Sequence, residues 1–254
     1  MIENISKENF KRICKLNKKR YREENLDSFD IIIEGYRLIK QVLIFGLEIK
    51  AVYINLDNVN QFKDIAENPN FSVYFLSMSQ AEQLSETKRS QGVFAEITFR
   101  TKPIINFNKL LYLNAIKDPG NLGVIYRTAS AFDIDGIIID EDCCDLSNDK
   151  VVRASMGAVF DVPTLKVDNT WIKTRKEELF ISNISEDNGT SLNLFKFPDK
   201  PFILVLGSEA FGVAKYLSEQ KHERVCIPMY GGMQSLNVAT AAGIFMYKMR
   251  VDNG

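Results

Sequence analysis

Short apolar runs alternate with helical patterns throughout the second half of this 254-residue chain, and this alternation restricts its fold more than any other feature. Strand-like runs occur at residues 110–114, 137–139, 202–207 and 224–228, and near Leu165 and Leu179. Helical patterns occur at residues 122–132, 148–157, 213–218 and 236–250. Strands separated by helices of this length predict an α/β fold with a mostly parallel sheet covered on both faces.

The first hundred residues predict a separate, smaller α/β unit. A basic amphipathic helix is expected at about residues 10–21, and a second helix at about 36–45. Strand-like runs are found at residues 31–35, 51–55, 72–76 and 92–97. Pro103 lies in a stretch that fits a linker. We therefore predict domains at residues 1–100 and 109–254, joined by a linker at 101–108.

Composition and spacing argue against several classes of protein. Charged residues interrupt every apolar run before it reaches the length of a membrane span. The N-terminus lacks the basic and apolar regions of a secretory signal. The four cysteines show no CxxC spacing, and His222 is the single histidine. The sequence predicts a cytoplasmic protein without a metal site.

The net charge of −1 gives no general attraction to nucleic acid, but the basic residues are unevenly distributed. Eight basic residues and one acid lie between positions 7 and 22. On one helix face they could contact a phosphate backbone, or they could simply solvate the helix. The candidate RNA-binding residues here are Lys11, Arg12, Lys18, Lys19, Arg20 and Arg22.

In open α/β sheets ligands bind beyond the carboxyl ends of the strands, and three such ends have unusual sequences. The first, at residues 118–123, reads Asp-Pro-Gly-Asn-Leu-Gly, and Arg127 follows on the helix. Arg127 is expected to project away from the buried stripe of that helix. The alternative is that Asn121 caps the helix and Arg127 is an ordinary surface charge.

The second strand end, at residues 206–212, reads Leu-Gly-Ser-Glu-Ala-Phe-Gly. It lacks the Gly-Lys-Ser/Thr ending of a phosphate loop, and no GxGxxG occurs in the chain. This argues against a kinase-like, GTPase-like or nicotinamide-dependent enzyme. By itself the segment could be an ordinary helix start, with Ser208 as its cap and Glu209 facing the helix dipole.

The third strand end begins with Ile-Pro-Met at residues 227–229 and continues through two glycines to Ser-Leu-Asn-Val at 235–238. The glycines permit a close backbone approach, and Ser235 or a neighbour is expected to open the last helix. That helix begins with small residues able to pack closely. An ordinary glycine loop before an alanine-rich helix is the alternative.

Taken in order, these three segments resemble the motifs of the TrmH (SpoU) family of the SPOUT superfamily. The segment Val-Val-Arg-Ala-Ser-Met-Gly at 151–157 is similar to one that the family carries between its first two motifs. Ile-Glu-Gly-Tyr-Arg at 33–37 and Ser-Gln-Gly-Val-Phe-Ala at 90–95 resemble a ribosomal-protein-like (L30e-like) substrate-binding domain. The resemblance covers nearly the whole chain.

The resemblance implies an RNA methyltransferase that uses S-adenosyl-L-methionine to methylate a ribose 2′-hydroxyl. It also implies a Rossmann-like domain with a C-terminal trefoil knot, preceded by a small RNA-binding domain, in a homodimer. The cofactor-binding residues that it implies are Leu206, Gly207, Ile227, Met229, Ser235 and Leu236.

The catalytic residues that the resemblance implies are Arg127, Asn121, Glu209, Ser235 and Asn237. A guanidinium resists deprotonation, so we expect Arg127 to clamp a phosphate and stabilise developing negative charge, not to act as a base. Ser235 and Asn237 would orient the hydroxyl, while Arg153 could add a phosphate contact or serve the fold alone.

The favoured substrate is large-subunit ribosomal RNA, because the smaller transfer-RNA members of the family are expected to lack the N-terminal domain. A transfer-RNA methyltransferase is the alternative within the same class. A catalytically inactive RNA-binding relative is the alternative from another class, although the four side chains at positions 127, 209, 235 and 237 argue against it.

Overall fold

The computed structural model describes residues 2–18, 28–183, 189–208 and 212–253. The chain divides into two compact units, Met1–Thr101 with Ser147–Phe160, and Lys102–Leu146 with Asp161–Gly254. The predicted domain boundaries place residues 147–160 in the second domain, whereas the structure groups them with the first. The reason is packing, since the ring of Phe160 lies 5.4 Å from that of Phe99.

Secondary structure follows the alternation seen in the sequence. The strands in the described residues are β1 Ile2–Asn4, β2 Phe29–Glu34, β3 Ile49–Asn55, β4 Ser72–Leu76, β5 Val93–Phe99, β6 Lys109–Leu113, β7 Gly136–Asp140, β8 Thr164–Val167, β9 Glu178–Asn183, β10 Thr190–Ser191, β11 Phe202–Leu206 and β12 Glu223–Cys226. The helices there are α1 Lys7–Leu16, α2 Tyr36–Ile44, α3 Lys63–Ala66, α4 Met78–Leu84, α5 Pro119–Ala131, α6 Asp149–Ala154, α7 Lys215–Ser218 and α8 Val238–Asn253.

The first unit is built on a mixed sheet, whose order within the described residues is β1-β4-β3-β5-β2. β5 runs antiparallel to β2 and β3, whereas β4 runs parallel to β1 and β3. The central strands β3 and β5 carry fully buried side chains, among them Tyr53 and Phe94. Their burial between helices explains why both strands read as nearly continuous apolar runs.

Local capping sets two helix starts in this unit. The Ser6 hydroxyl accepts a hydrogen bond from the Asn9 backbone N–H at 3.1 Å and begins α1. α1 ends at Leu16, earlier than the sequence predicted, and residues 19–27 lie outside the described residues. α4 was not predicted, although Ser77 and Gln80 form the reciprocal capping box that marks such a start.

The second unit confirms the predicted parallel sheet. Across the described residues its strand order is β10-β12-β9-β11-β6-β7-β8, and every neighbouring pair is parallel. All five residues of β7 and of β11 are buried, as expected for strands covered on both faces. All seven carboxyl ends therefore lie along one edge of this sheet.

Two long helices run side by side in the second unit. Residues of α8 contact residues of α5 in the same order along both helices, which shows that the two helices are parallel. The contacts are Asn237 with Asn121, Gly243 with Thr128, and Tyr247 with Phe132. Their N-termini therefore lie together. Each of these ends follows a strand, β6 for α5 and β12 for α8, so the structure brings both to the carboxyl edge of the sheet.

No helix in the described parts of the chain is both long enough and apolar enough to cross a bilayer.

Candidate active site

A cleft opens at the carboxyl edge of the parallel sheet. The loops after β9, β11 and β12 and the first turns of α8 form its walls. The residues that line it are Ser182, Asn183, Leu206, Gly207, Ser208, Gly212, Val213, Ile227, Met229, Gln234, Ser235, Leu236, Val238, Ala241 and Phe245. Most of these residues are apolar, and hydroxyl, amide and main-chain groups lie among them, so the cleft can hold a ligand by apolar contact and a few hydrogen bonds.

All six residues that the resemblance assigned to the cofactor line this one cleft. They come from two strand ends that are distant in the chain, 206–207 and 227–236. Ser182 and Asn183, at the end of β9, also line the cleft and were not predicted. The sequence could have indicated them, because this polar pair directly follows the apolar run 179–181, which forms a strand of the same sheet.

The loop after β11 depends on a close approach at Gly207. A Cβ atom added there would lie 2.3 Å from the backbone carbon and oxygen of Gly212, a distance that packed atoms do not tolerate. The Gly212 N–H also donates to the Ser208 carbonyl at 2.8 Å, which closes the loop. Gly207 therefore determines the shape of this wall. Glu209, expected to be catalytic, lies outside the described residues.

Polar side chains set the starts of both long helices. Asp118 caps α5, accepting from the Asn121 N–H at 2.8 Å, so Asn121 is not the cap. Asn237 opens α8, since its Oδ1 accepts from the Ala239 N–H at 2.9 Å and from the Thr240 N–H at 3.3 Å. Ser235 precedes this cap and lines the cleft.

One hydrogen bond joins the first and third sequence motifs. The Nδ2 of Asn237 donates to the Oδ1 of Asn121 at 2.9 Å, across 116 positions of sequence. This contact ties together the two parallel helix N-termini. The positive ends of both helix dipoles therefore point to the same edge of the sheet, where they favour a negatively charged group.

Arg127 is exposed on α5, as the sequence predicted. It follows Val124 by one helical turn, so the two side chains occupy neighbouring positions on the exposed face. Leu122, Ile125 and Ala129 face the core instead and are fully buried. Within the described residues no hydrogen bond or ion pair is found for Arg127, and its guanidinium is therefore available to a ligand.

A buried polar network, which was not predicted from the sequence, supports the loops next to the cleft. Asn114, at the end of β6, donates to the Asp140 carboxylate at the end of β7 and accepts from the Ala214 N–H at 2.7 Å. Its backbone N–H also donates to the Leu206 carbonyl at 2.9 Å. Asn114 and Asp140 are 3% and 4% exposed. This network holds together the loops that follow three neighbouring strands.

Tyrosines complete the network. The hydroxyls of Tyr112 and Tyr216 lie 3.1 Å apart, and the Tyr216 hydroxyl also donates to Asp140 at 3.4 Å. Burial raises the pKa of Tyr112 well above its ordinary value, so its hydroxyl stays protonated. Two protonated tyrosine hydroxyls beside the Asp140 carboxylate make the network rigid, and neither hydroxyl can act as a general base. The tyrosines therefore support the site.

The structure corrects the expectation that Arg12 is free to bind RNA. Its guanidinium forms two hydrogen bonds of 2.6 Å with the carboxylate of Glu96, whose side chain is 4% exposed. Tyr53 donates to the same carboxylate at 2.7 Å. Arg12 therefore neutralises a buried charge. Lys11 and Lys18 remain exposed, whereas Lys19, Arg20 and Arg22 lie outside the described residues.

Arg153 also has a partner within its own helix. It forms an ion pair with Asp149 one turn earlier on α6, in the first unit. This contact supports the structural interpretation of Arg153. No group of three or more metal-ligating side chains is found in the described parts of the chain.

Two protein families match the chain. The SpoU rRNA Methylase family matches residues 108–247, and the MRM3-like substrate binding domain matches residues 7–95. The first match contains the whole cleft, and the second covers most of the first unit.

Full-length relatives are also found. The 23S rRNA (guanosine(2553)-2'-O)-methyltransferase RlmP of Bacillus subtilis is 27% identical over 253 residues, which cover 98% of each chain. The crystal structure of an AdoMet-bound rRNA methyltransferase from Sinorhizobium meliloti is similar with a TM-score of 0.79, at 26% identity over 98% of each chain. A TrmH/SpoU tRNA modifying enzyme from A. aeolicus matches 59% of this chain, with a TM-score of 0.50 and 25% identity.

Proposed function

Because the chain belongs to the SpoU rRNA Methylase family, we propose that it transfers a methyl group from S-adenosylmethionine to a ribose 2′-hydroxyl of RNA. One observation carries this proposal. The cleft lies at the strand edge where Asn237 and Asn121 join the N-termini of α8 and α5, and α5 carries the exposed Arg127. A site for a methyl donor and a site for a phosphate-bearing substrate therefore adjoin.

The cleft fits S-adenosylmethionine. It combines apolar side chains with a few polar groups, as small-molecule sites usually do. Leu206, Ile227 and Leu236 offer apolar walls for a purine, and the backbone at Gly207 and Met229 offers hydrogen-bonding groups. When bound, this cofactor supplies an electrophilic methyl group. The residues of the cleft bind and orient it.

Arg127 acts on the RNA side of the site. A guanidinium stays protonated in proteins, so Arg127 does not remove the proton of the 2′-hydroxyl. It clamps a neighbouring phosphate and stabilises negative charge that develops on the ribose oxygen. The two helix N-termini add to the same electrostatic effect. The proton leaves to water or to a phosphate oxygen.

Asn237, Asn121 and Ser235 position the reacting groups. The hydrogen bond between the two asparagines fixes their side chains, so that Asn237 can hold the ribose hydroxyl beside the cleft. Ser235 lies at the boundary of the cleft and contacts either the cofactor or the ribose. Glu209 is proposed to shape the loop of the second sequence motif or to contact the RNA ribose. Correct alignment of two reactants can supply about 7–11 kcal/mol of the barrier reduction.

Large-subunit ribosomal RNA is the proposed substrate. The relative from Bacillus subtilis, a 23S rRNA methyltransferase, matches both units of the chain, whereas the A. aeolicus tRNA enzyme matches 59% of it. The first unit, matched by a substrate-binding domain, supplies the additional RNA contacts through Lys11 and Lys18 and the basic residues that follow. A ribosomal RNA substrate also favours a cytoplasmic location.

A homodimer is proposed for the assembled enzyme. Ile244, Tyr247 and Val251 form an exposed apolar stripe on α8, and Val124 is exposed on the adjacent α5. Such a stripe on two packed helices suits a second copy of the same surface. Arg127 borders the stripe, so the RNA site would lie near the subunit boundary. The C-terminal trefoil knot implied by the resemblance is part of the same proposal.

The test compares Arg127→Ala with Lys166→Ala, which removes an exposed cation from the edge strand β8. Calorimetry measures S-adenosylmethionine binding, and transfer of tritiated methyl groups to ribosomal and transfer RNA measures activity. We expect Arg127→Ala to keep cofactor affinity and to lose at least about 100-fold in transfer rate. Lys166→Ala should match the wild type.

Wild-type protein that binds no cofactor and labels neither RNA would refute the proposal. Labelling of transfer RNA alone would retain the chemistry and reject ribosomal RNA as the substrate. Unchanged turnover in Arg127→Ala would reject the role given to that residue.

A further inference from the structure

The turn between β12 and α8 carries large side chains that the cofactor cleft does not use. Residues 230–233 lie between Met229 and Gln234, which both line the cleft. Tyr230 is 88% exposed and Met233 is 73% exposed. An exposed apolar cluster at the boundary of a binding site indicates contact with another molecule.

Tyr230 is held by a neighbouring strand end. The Nδ2 of Asn193 donates to the Tyr230 hydroxyl at 2.8 Å. The contact follows from the sheet, because β10 and β12 are adjacent and parallel, with Ser191 opposite Cys226. The ring is therefore anchored at its hydroxyl end and largely open to solvent. Leu194, the residue after Asn193, is 85% exposed and adds apolar surface on the same strand end.

The two glycines after Tyr230 have no role in the packing of the isolated chain. Neither Gly231 nor Gly232 has a positive φ angle. A Cβ atom added to either would meet no described atom within 4 Å. The fold therefore requires glycine at neither position, and the space above them is open to an approaching ligand.

We propose that Tyr230 is the platform on which the base of the target nucleotide stacks while its ribose lies at the cleft. Gly231 and Gly232 leave room for the RNA backbone that enters with this base. The inference rests on the proposed function and names a specificity-determining residue for that reaction.

RNA chemistry favours a base as the occupant. Proteins that recognise particular nucleotides in RNA stack their splayed-out bases on aromatic rings. A base joined to a ribose at the cleft boundary must lie within a few ångströms of it, and Tyr230 follows Met229 directly. The apolar stripe of α5 and α8 is a separate surface, already assigned to a second copy.

The test uses Tyr230→Ala, Tyr230→Phe and, as a control, Ile105→Ala, which removes an 82% exposed apolar side chain elsewhere in the second unit. The substrate is an RNA fragment that the wild-type enzyme labels. Stacking on one ring is worth about 10- to 100-fold in binding. We expect Tyr230→Ala to lower kcat/KM by this factor, mainly through KM, with unchanged S-adenosylmethionine affinity. Tyr230→Phe should stay within about threefold of the wild type, and Ile105→Ala should match it.

A second substrate isolates the base. The same fragment is prepared without the base at the methylated nucleotide, so that the ribose hydroxyl remains. Tyr230→Ala should then cause little further loss. An equal loss on both substrates, a changed cofactor affinity or a changed sedimentation coefficient would overturn the role of Tyr230. Absence of transfer by the wild type on every RNA would instead refute the proposed function.

Discussion

Replacing Arg12 by alanine should destabilise the first unit, because it leaves a buried carboxylate without its cation. Glu96 lies on the central strand β5, and its side chain is 4% exposed. In the wild type it accepts two hydrogen bonds from Arg12 and one from Tyr53. Only the tyrosine contact would remain in the variant.

The magnitude follows from burial. Removing one partner of a fully buried ion pair costs about 3–5 kcal/mol. The Arg12 side chain is 48% exposed, so water already screens part of the interaction. We therefore expect the free energy of unfolding to fall by about 2–3 kcal/mol at pH 7. Lys11→Ala, one residue earlier and at an exposed position, should change it by less than about 0.5 kcal/mol.

The contribution of Glu96 to the pH dependence of the free energy of unfolding should change sign in Arg12→Ala. Burial raises the pKa of Glu96, but the hydrogen bonds from Arg12 and Tyr53 outweigh it and hold the pKa below its ordinary value. Wild-type folding therefore loses this contribution as the pH falls through the folded pKa. In Arg12→Ala burial dominates and raises the pKa, so that protonation relieves the unpaired charge. The difference between the two proteins should shrink as the solution becomes acidic.

Urea unfolding followed by circular dichroism, from pH 4 to pH 8, measures both effects. Adding Glu96→Gln to Arg12→Ala should restore part of the lost stability at pH 7, because it removes the unpaired charge. Stability equal to that of the wild type, together with weaker RNA binding, would contradict the reasoning and return Arg12 to the RNA surface.

Three further predictions concern the second unit. Gly207→Ala should weaken S-adenosylmethionine binding at least about tenfold by calorimetry, because its Cβ would lie 2.3 Å from the Gly212 backbone; unchanged affinity would exclude that clash. Asn237→Ala removes a helix cap and the bond to Asn121, so the thermal unfolding curve should show a loss of about 1–2 kcal/mol. Its methyl-transfer rate should fall further than this stability loss explains, and a proportionate fall would reduce Asn237 to a structural role. Tyr247→Glu places a charge on the apolar stripe and should yield monomers in sedimentation experiments, and a persistent dimer would move the interface elsewhere.

Local sequence patterns predicted much of the fold, because the spacing of apolar residues depends directly on which residues are buried. β7 and β11 were predicted from uninterrupted apolar runs, and both strands are buried along their whole length. Other elements had only a weak sequence pattern, or a pattern that was not recognised. β1 has three residues, too few for periodicity, and α4 was missed although its capping box at Ser77 and Gln80 can be read in the sequence.

Glycines marked the candidate site, but the sequence did not show which of them the fold requires. Gly231 and Gly232 were expected to permit a close backbone approach, yet open space surrounds both, whereas a side chain has no room at Gly207, for which that role was not predicted. Asparagine has several uses, and its role could not be read locally. A helix cap was the alternative considered for Asn121, whereas Asp118 caps α5 and Asn121 binds Asn237.

By itself the sequence determined the parallel sheet, the helices between its strands and the three loops that meet at its carboxyl edge. These depend on periodicity, glycine and proline, which act over a few residues. Only the tertiary structure decided the partners of the polar side chains: Arg12 with Glu96, 84 positions away, and Asn114 with Asp140. Such pairs depend on which strands become neighbours, and strand order is set by the packing of the whole unit.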